Sequence, residues 1–274
     1  MVKIALIGAD GMLGFALKET IQKSDNELFA LTRKDLDITD SNSLKILNDI
    51  KPNIILNCAA FTNVDGCEAT SLEAYETNSI ALINLIKSAN KHNACLVHFS
   101  TDYVFDGNKD TPYSTDDKPN PNSIYGKSKL MGESIIQTMC DNHLIIRTSW
   151  LFGPNGKNFV DTILNLADKN KELSVVDDQR GCPTYTFDLA EATMNALDQR
   201  GVIHLTGKTD CTWFELAKHV IKEKSLDNTV APISTSKAVE LFNLKATRPT
   251  YSVLESTKEL RGYEESVKEY LSQK

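Results

Sequence analysis

Short apolar runs alternate with amphipathic stretches along the first 150 residues, and the alternation predicts strands and helices in turn. Lys3–Ile7 is an apolar run that ends in GADGMLG and passes into amphipathic Leu13–Ile21, which predicts strand, glycine turn and helix. The pattern continues with a strand at Leu28–Leu31, a short third strand before Asp37 and Ile38, and a helix near Ser43–Ile50. Strand Ile54–Leu56 then runs into NCAA, a helix covers Leu72–His92, and strand Cys95–Phe99 runs into STDYVFDG. Pro119 and Pro121 precede a helix through YGKSK, followed by strand Leu144–Arg147. Beyond residue 150 the alternation loosens into a helix near Asn158–Asp168, a loop with DDQRGCPTY, a helix at Phe187–Leu197, a strand at Val202–Leu205 and further short helices. This predicts an α/β fold, a Rossmann-type doubly wound parallel sheet over residues 1–150, with a smaller C-terminal substrate-binding lobe over 151–274. Segments from about 184–205 are expected to return to the sheet.

At 274 residues the chain can bury a large core without staples. The net charge of -7, with lysines scattered among acids along helices, argues against nucleic acid as a partner. The six cysteines form no Cys-x-x-Cys pair, so they are expected as reduced thiols rather than as zinc ligands. MVKIALIG is too short an apolar run for a signal peptide, and no later stretch reaches the length of a membrane span. A cytoplasmic protein with no membrane partner is expected.

Two patterns carry chemistry. Gly8, Gly11 and Gly14 follow the first strand at Gly-x-x-Gly-x-x-Gly spacing, which suits a tight turn, close approach to a diphosphate and close helix packing. The second strand ends in Thr32, Arg33 and Lys34, with no acid for ribose hydroxyls. Arg33 therefore points to NADPH as cofactor, with NADH as a second option and a surface arginine as the bland alternative. Tyr125 and Lys129 lie four residues apart, so one helical face can present a phenol and an ammonium together for proton transfer. The bland alternative is an exposed helical face. Tyr270 and Lys274 repeat the spacing at the C-terminus, where fraying is expected and the pair reads as chance.

AAFTNVD, HFSTDYVFDG, YGKSKLMGE, RTSWLFG, DDQRGCPTYT and the Arg248-Pro249 segment span most of the chain. Together with the glycine turn they resemble the extended short-chain dehydrogenase/reductase superfamily and, within it, the dTDP-4-dehydrorhamnose reductases. The resemblance implies reduction of the 4-keto group of a dTDP-linked 4-keto-6-deoxy sugar, dTDP-4-dehydro-6-deoxy-L-mannose, to dTDP-L-rhamnose. It implies that Tyr125 donates a proton to the forming alkoxide, that Lys129 binds the nicotinamide ribose and lowers the tyrosine pKa, and that Thr101 bonds the reacting oxygen. It places Met12 and Leu13 at the diphosphate, Asp37 and Ile38 at the adenine, and Ala59, Ala60, Phe61 and Thr62 along the cofactor. Thr62, Val64, Thr101, Asp102, Tyr103 and Trp150 match sugar-nucleotide positions, with core packing as the alternative for Trp150.

The chain departs from the family pattern in three places. Asp10 stands in the glycine turn, where its charge disfavours a diphosphate unless it faces solvent or caps the helix. Gly66 and Cys67 replace the usual Lys-Ala. Phe15, Ala16 and Leu17 occupy the turn where some members carry a metal-binding glutamate, so no metal is expected. The histidines are expected to be structural. A nucleotide-sugar epimerase or dehydratase is a second reading, although Tyr103 stands where dehydratases carry an acid. A non-catalytic NADP-binding subunit, resembling the regulatory subunit of methionine adenosyltransferase, is a third. The oligomeric state is left open, a homodimer included.

Overall fold

A computed structural model describes residues 1–274. The apolar runs become β1 (Lys3–Ile7), β2 (Glu27–Leu31), β3 (Ile54–Asn57), β4 (Cys95–Thr101) and β5 (His143–Thr148). After the short strands β6 (Leu151–Phe152), β7 (Glu172–Val176), β8 (Arg180–Gly181) and β9 (Thr184–Tyr185), strand β10 (Gly201–His204) returns to the edge beside β5. The sheet has the order β10-β5-β4-β3-β1-β2 and every neighbouring pair is parallel. Parallel strands are covered on both faces, which is why β4 is buried at all seven positions and shows no alternation of buried and exposed residues.

Two layers of helices supply that cover. On one face lie α1 (Met12–Ile21) and, from much later in the chain, a helix at Thr186–Met194; Leu13, Leu17 and Ile21 pack with Leu189 and Ala190 over Ile4, Leu6, Val97 and Ile146. On the other face lie α2 (Ile46–Ile50), α3 (Val64–Ala69), α4 (Ser71–Tyr75), α5 (Leu82–His92) and α6 (Ile124–Met139). There Leu82, Leu85, Ile86, Ala89 and Ile136 cover Ala5, Ile7, Ile55, Leu96 and Ile145.

A third apolar cluster lies after β5. It joins Phe152, Val160, Ile163, Leu173, Tyr185, Leu216, Val220 and Tyr270. The helices after β5 are α7 (Phe159–Ala167), the sheet-covering α8 (Thr186–Met194), α9 (Trp213–Glu223), α10 (Thr235–Phe242) and α11 (Tyr263–Ser272). Strand β11 (Cys211–Thr212) pairs with β8, and β12 (Thr229–Ile233) runs parallel to β7. The DDQRGCPTY segment is therefore not wholly loop, since β8 and β9 lie within it.

Three sequence expectations are corrected. No strand precedes Asp37: residues 32–37 form a turn in which Asp35 accepts from the Thr32 amide (2.9 Å) and hydroxyl (2.7 Å), a local competition that ends β2. The helix expected over Leu72–His92 contains a π turn at Glu76–Ile80, which pushes Asn78 into the interior, where it is 1% exposed. The C-terminus is not frayed. Tyr270 is 1% exposed, and its hydroxyl donates to Gly153 O (3.0 Å) with Asp161 close by, so its spacing to Lys274 reflects lobe packing.

His204, at the end of β10, is fully buried; Nδ1 faces Tyr113 O (3.1 Å) and Nε2 faces Arg147 Nη1 (3.4 Å). Burial, with the nearby Arg147 charge, pulls its pKa from 6.5 to about 4. The unfolded chain therefore takes up a proton that the folded one refuses, and stability falls as pH drops through this window. Urea unfolding at pH 7 and at pH 5 should differ by about 2 kcal/mol from this group. His204→Asn should flatten that dependence.

Candidate active site

The glycine turn is built as its spacing predicts. Gly8 sits at φ +76°, in the left-handed region, and a Cβ there would lie 3.0 Å from Ala59 N. A Cβ on Gly14 would lie 2.0 Å from Gly8 O, so only glycine lets α1 close onto the turn. Gly11 begins α1 with no side-chain cap, so no side chain covers the positive end of the helix. A cleft of about 210 Å³ opens beside it, lined by Gly8, Asp10, Gly11, Arg33, Asp37, Ile38, Ala59, Ala60 and Thr77. Arg33 Nε reaches Asp37 Oδ2 (3.0 Å) while remaining 78% exposed. The Asp37 carboxyl is held below its ordinary value, chiefly by hydrogen bonds from Thr39. Asp10 does not cap the helix: it is exposed, and its carbonyl accepts from Asn155 Nδ2 (2.8 Å).

A larger cleft of about 670 Å³ continues from Gly11, Met12, Leu13 and Gly14 to Thr62, Val64, Thr101, Asp102, Tyr103, Tyr125, Lys129 and Trp150. Helix α6 brings the pair to it. Ser123 caps α6 by accepting from Gly126 N (3.1 Å), and a Cβ on Gly126 would lie 2.1 Å from Tyr103 O. The first turn of α6 thus presses on the turn after β4, setting the Tyr125 ring edge-on to Tyr103 with centroids 5.7 Å apart. Gly132 lets the same helix approach the π turn, since its Cβ would meet Asn78 O at 2.3 Å.

Burial raises the Tyr125 pKa above its ordinary value, against the Thr101 hydroxyl, which favours ionisation. Lys129 is drawn down to about 8, first by burial, while Glu133 and Cys58 act the other way. Its Nζ meets Phe99 O (2.6 Å) and His98 Nε2 (2.9 Å). Here the lysine faces β4 rather than the phenol, so burial and not Lys129 dominates the tyrosine. A phenol so held remains protonated at neutral pH, the state required of a proton donor. Thr101 Oγ donates to Asp102 Oδ1 (3.0 Å) and accepts from Tyr103 N (3.2 Å). Burial pushes the Asp102 carboxyl up to about 6, opposed by Ser252 Oγ, which donates to it at 2.6 Å.

Of the candidate catalytic, cofactor and substrate residues named from the sequence, Phe61 alone lines neither cleft. Its amide donates to Asn78 Oδ1 (2.8 Å) and its carbonyl accepts from Asn78 Nδ2 (3.0 Å), so it anchors the loop rather than facing a ligand. Trp150 takes both readings at once: it lines the larger cleft and packs against the lobe core. Its backbone is left-handed at φ +45°, unusual for a bulky residue. Its indole lies parallel to that of Trp213 with centroids 3.4 Å apart, and a Cβ on Gly181 would lie 2.5 Å from it.

Sequence reading missed His98, Asn57, Asn78, Trp213 and Arg248 as parts of this region. Arg248 lines the larger cleft and pairs with Asp65 at 2.5 Å across 183 residues of chain. The similar Arg-Pro segment was its one signal. Trp213 had none, because a lone indole at the head of a helix reads as core.

A family model described as the RmlD substrate binding domain matches residues 2–273. The chain belongs to this family. The Bacillus subtilis spore coat polysaccharide biosynthesis protein SpsK is 39% identical over 282 residues, covering 100% of this chain and 98% of that protein. A crystal structure of a dTDP-4-dehydrorhamnose reductase from Clostridium acetobutylicum superposes with a TM-score of 0.94 at 39% identity, covering 99% of both chains. That of the Bacillus anthracis reductase in complex with NADP gives a TM-score of 0.93 at 33% identity, covering 100% of this chain and 99% of that one. RmlD membership makes the chain an NAD(P)-dependent oxidoreductase of short-chain dehydrogenase/reductase architecture. No helix is long and apolar enough to cross a membrane.

Proposed function

We propose that this protein reduces the 4-keto group of a dTDP-linked 4-keto-6-deoxy sugar, dTDP-4-dehydro-6-deoxy-L-mannose, to give dTDP-L-rhamnose with NADPH. The observation that carries the reading is the convergence of Tyr125, Lys129 and Thr101 in a cleft continuous with the glycine turn. The residues present fit a dinucleotide. The helix start at Gly11 lacks a side-chain cap, Gly8 and Gly14 let the turn close tightly against β3 and α1 so that the backbone of the turn faces the cleft, and Arg33 stands at the rim of the adjoining cleft. Gly11, Met12, Leu13 and Gly14 would hold the diphosphate, with Asp37, Ile38, Ala59 and Ala60 along the adenosine side. The cofactor supplies a hydride to the carbonyl carbon.

The chain's own residues do the rest. Tyr125, kept protonated by burial, gives its proton to the developing alkoxide, and Thr101 fixes the reacting oxygen beside it. Lys129 as an ammonium would bind ribose hydroxyls and favour the tyrosinate left behind. Trp150 and Thr62 would position the sugar, with the lobe after residue 150 choosing among sugars. Tyr103, whose phenol is pushed well up by burial, is a poor substitute for the acid that elimination requires, which favours reduction over dehydration. Measuring NADPH oxidation with the dTDP-linked keto sugar tests the reading; no oxidation at saturating sugar would overturn it.

The exposed Arg33 suits a 2'-phosphate. Arg33→Ala should weaken NADPH about tenfold or more while changing NADH little, one charge-assisted contact being worth about 1.5–3 kcal/mol. Titrating both cofactors decides it, because equal losses would leave Arg33 a surface residue.

Trp150→Ala should lower kcat/KM for the keto sugar by about 10²-fold through misplacement of the carbonyl, with NADPH binding intact. Its partial exposure keeps the folding cost below the 3–5 kcal/mol or so of a fully buried indole. Urea unfolding beside steady-state kinetics separates the roles. A destabilised variant whose folded fraction reduces the sugar normally would leave Trp150 as core alone.

A further inference from the structure

A buried polar chain joins the loop after β3 to the lysine of α6. The Ala59 amide donates to Asn57 Oδ1 (3.1 Å), Asn57 Nδ2 meets His98 Nδ1 (3.1 Å), and His98 Nε2 meets Lys129 Nζ (2.9 Å). Asn57, His98 and Lys129 are each 1% exposed, so leaving one of these polar groups without a partner would be costly.

The direction of each bond follows from its fixed end. A backbone amide can only donate, so Asn57 must turn its oxygen to Ala59 and its NH₂ to His98. Nδ1 is then the acceptor of the ring. A neutral imidazole carries its one proton on the other nitrogen, so Nε2–H points at Lys129. An ammonium has three donors and no acceptor, so it would face that N–H donor to donor. An amine offers its lone pair to Nε2–H and still donates to Phe99 O, at 2.6 Å.

We propose that Asn57 and His98 are positioning residues that set the direction of the hydrogen bond at Lys129, so that the ammonium is disfavoured there and the lysine gives up its proton at a lower pH than it otherwise would. This rests on the reading of Tyr125 and Lys129 as the catalytic pair. It assigns His98 a task in place of the structural role expected from sequence.

The charged and titratable surroundings agree. Burial and the neighbouring Lys129 hold His98 neutral, well below its ordinary value. On α6, Glu133 favours the ammonium, but its carboxylate is engaged by Arg147 of β5 at 3.0 and 2.7 Å. Cys58, beside Asn57, is pushed far above its ordinary value by burial and stays a neutral thiol. Tyr125, one turn before Lys129, is likewise kept neutral by burial.

Two measurements test this. Nitrogen-15 NMR of histidine-labelled protein reads the tautomer without turnover. His98, assigned by the signal lost in His98→Gln, should show a protonated Nε2 and a bare Nδ1; a protonated Nδ1 would overturn the proposal. In His98→Gln the amide oxygen can accept from Lys129, so the lysine should keep its proton longer and the alkaline limb of kcat/KM should rise by about one pH unit. Asn57→Asp should move the limb the same way without touching Lys129, because a carboxylate draws the ring proton to Nδ1 and leaves Nε2 an acceptor. A merely structural role would lower activity at every pH and leave the limb in place, which would also overturn the proposal. Should His98→Gln not fold, the wild-type tautomer and Asn57→Asp still decide. Absence of sugar reduction by the wild type would instead remove the functional reading and leave the tautomer result standing.

Discussion

Tyr125→Phe is expected to lower kcat by about 10²- to 10⁴-fold, the usual cost of losing a general acid, or about 3–5.5 kcal/mol of barrier. The substitution removes one oxygen from a half-buried ring whose edge contact with Tyr103, centroids 5.7 Å apart, does not involve that oxygen. Folding and NADPH affinity should therefore change little. The Lys129 contacts to Phe99 O and His98 are untouched. Single-turnover measurement with saturating cofactor and keto sugar isolates the step. Turnover near that of the wild type would show that the proton comes from another group, and the mechanism would fail.

The largest expected effect on stability lies at the other end of α6. Glu133 and Arg147 form a two-bonded ion pair with side chains 1% and 4% exposed. Arg147→Met would strand a carboxylate in the interior and should cost about 3–5 kcal/mol, a large share of the roughly 5–15 kcal/mol that holds a typical domain folded. The pair itself is not intrinsically that stabilising, because desolvating both charges offsets most of their attraction. The double variant Glu133→Leu with Arg147→Met should then recover most of the loss. Urea unfolding of both variants checks this. A double variant as unstable as the single one would mean that Arg147 matters through its other contacts, the Phe105 ring at 5.2 Å and His204 at 3.4 Å.

Patterns confined to neighbouring residues were legible in the sequence. The run Lys3–Ile7, the glycine turn and α1 form one local unit, so spacing alone predicted the strand, the turn and the closeness that Gly14 permits. Tyr125 and Lys129 were readable because i and i+4 share a helical face whatever surrounds the helix. The strand expected before Asp37 failed for an equally local reason, since Asp35 hydrogen-bonds back to Thr32 and ends β2.

What the sequence could not supply was partners distant along the chain. Tyr270 looked like a frayed terminal residue, yet Gly153 and Asp161, more than 100 residues earlier, hold its hydroxyl. Trp213 acquired meaning only when Trp150 stacked upon it, and Arg248 only when it met Asp65. Even the state of the reactive groups lay outside the sequence. Proximity on a helix says that a lysine can favour a tyrosinate, whereas burial decides that the phenol is protonated and that Lys129 is drawn down to about 8. Local spacing thus determined which groups this chain can bring together, because backbone geometry repeats. The tertiary structure decided their protonation and direction, because desolvation and hydrogen-bond polarity depend on atoms from β3, β4 and α6 that meet only after folding.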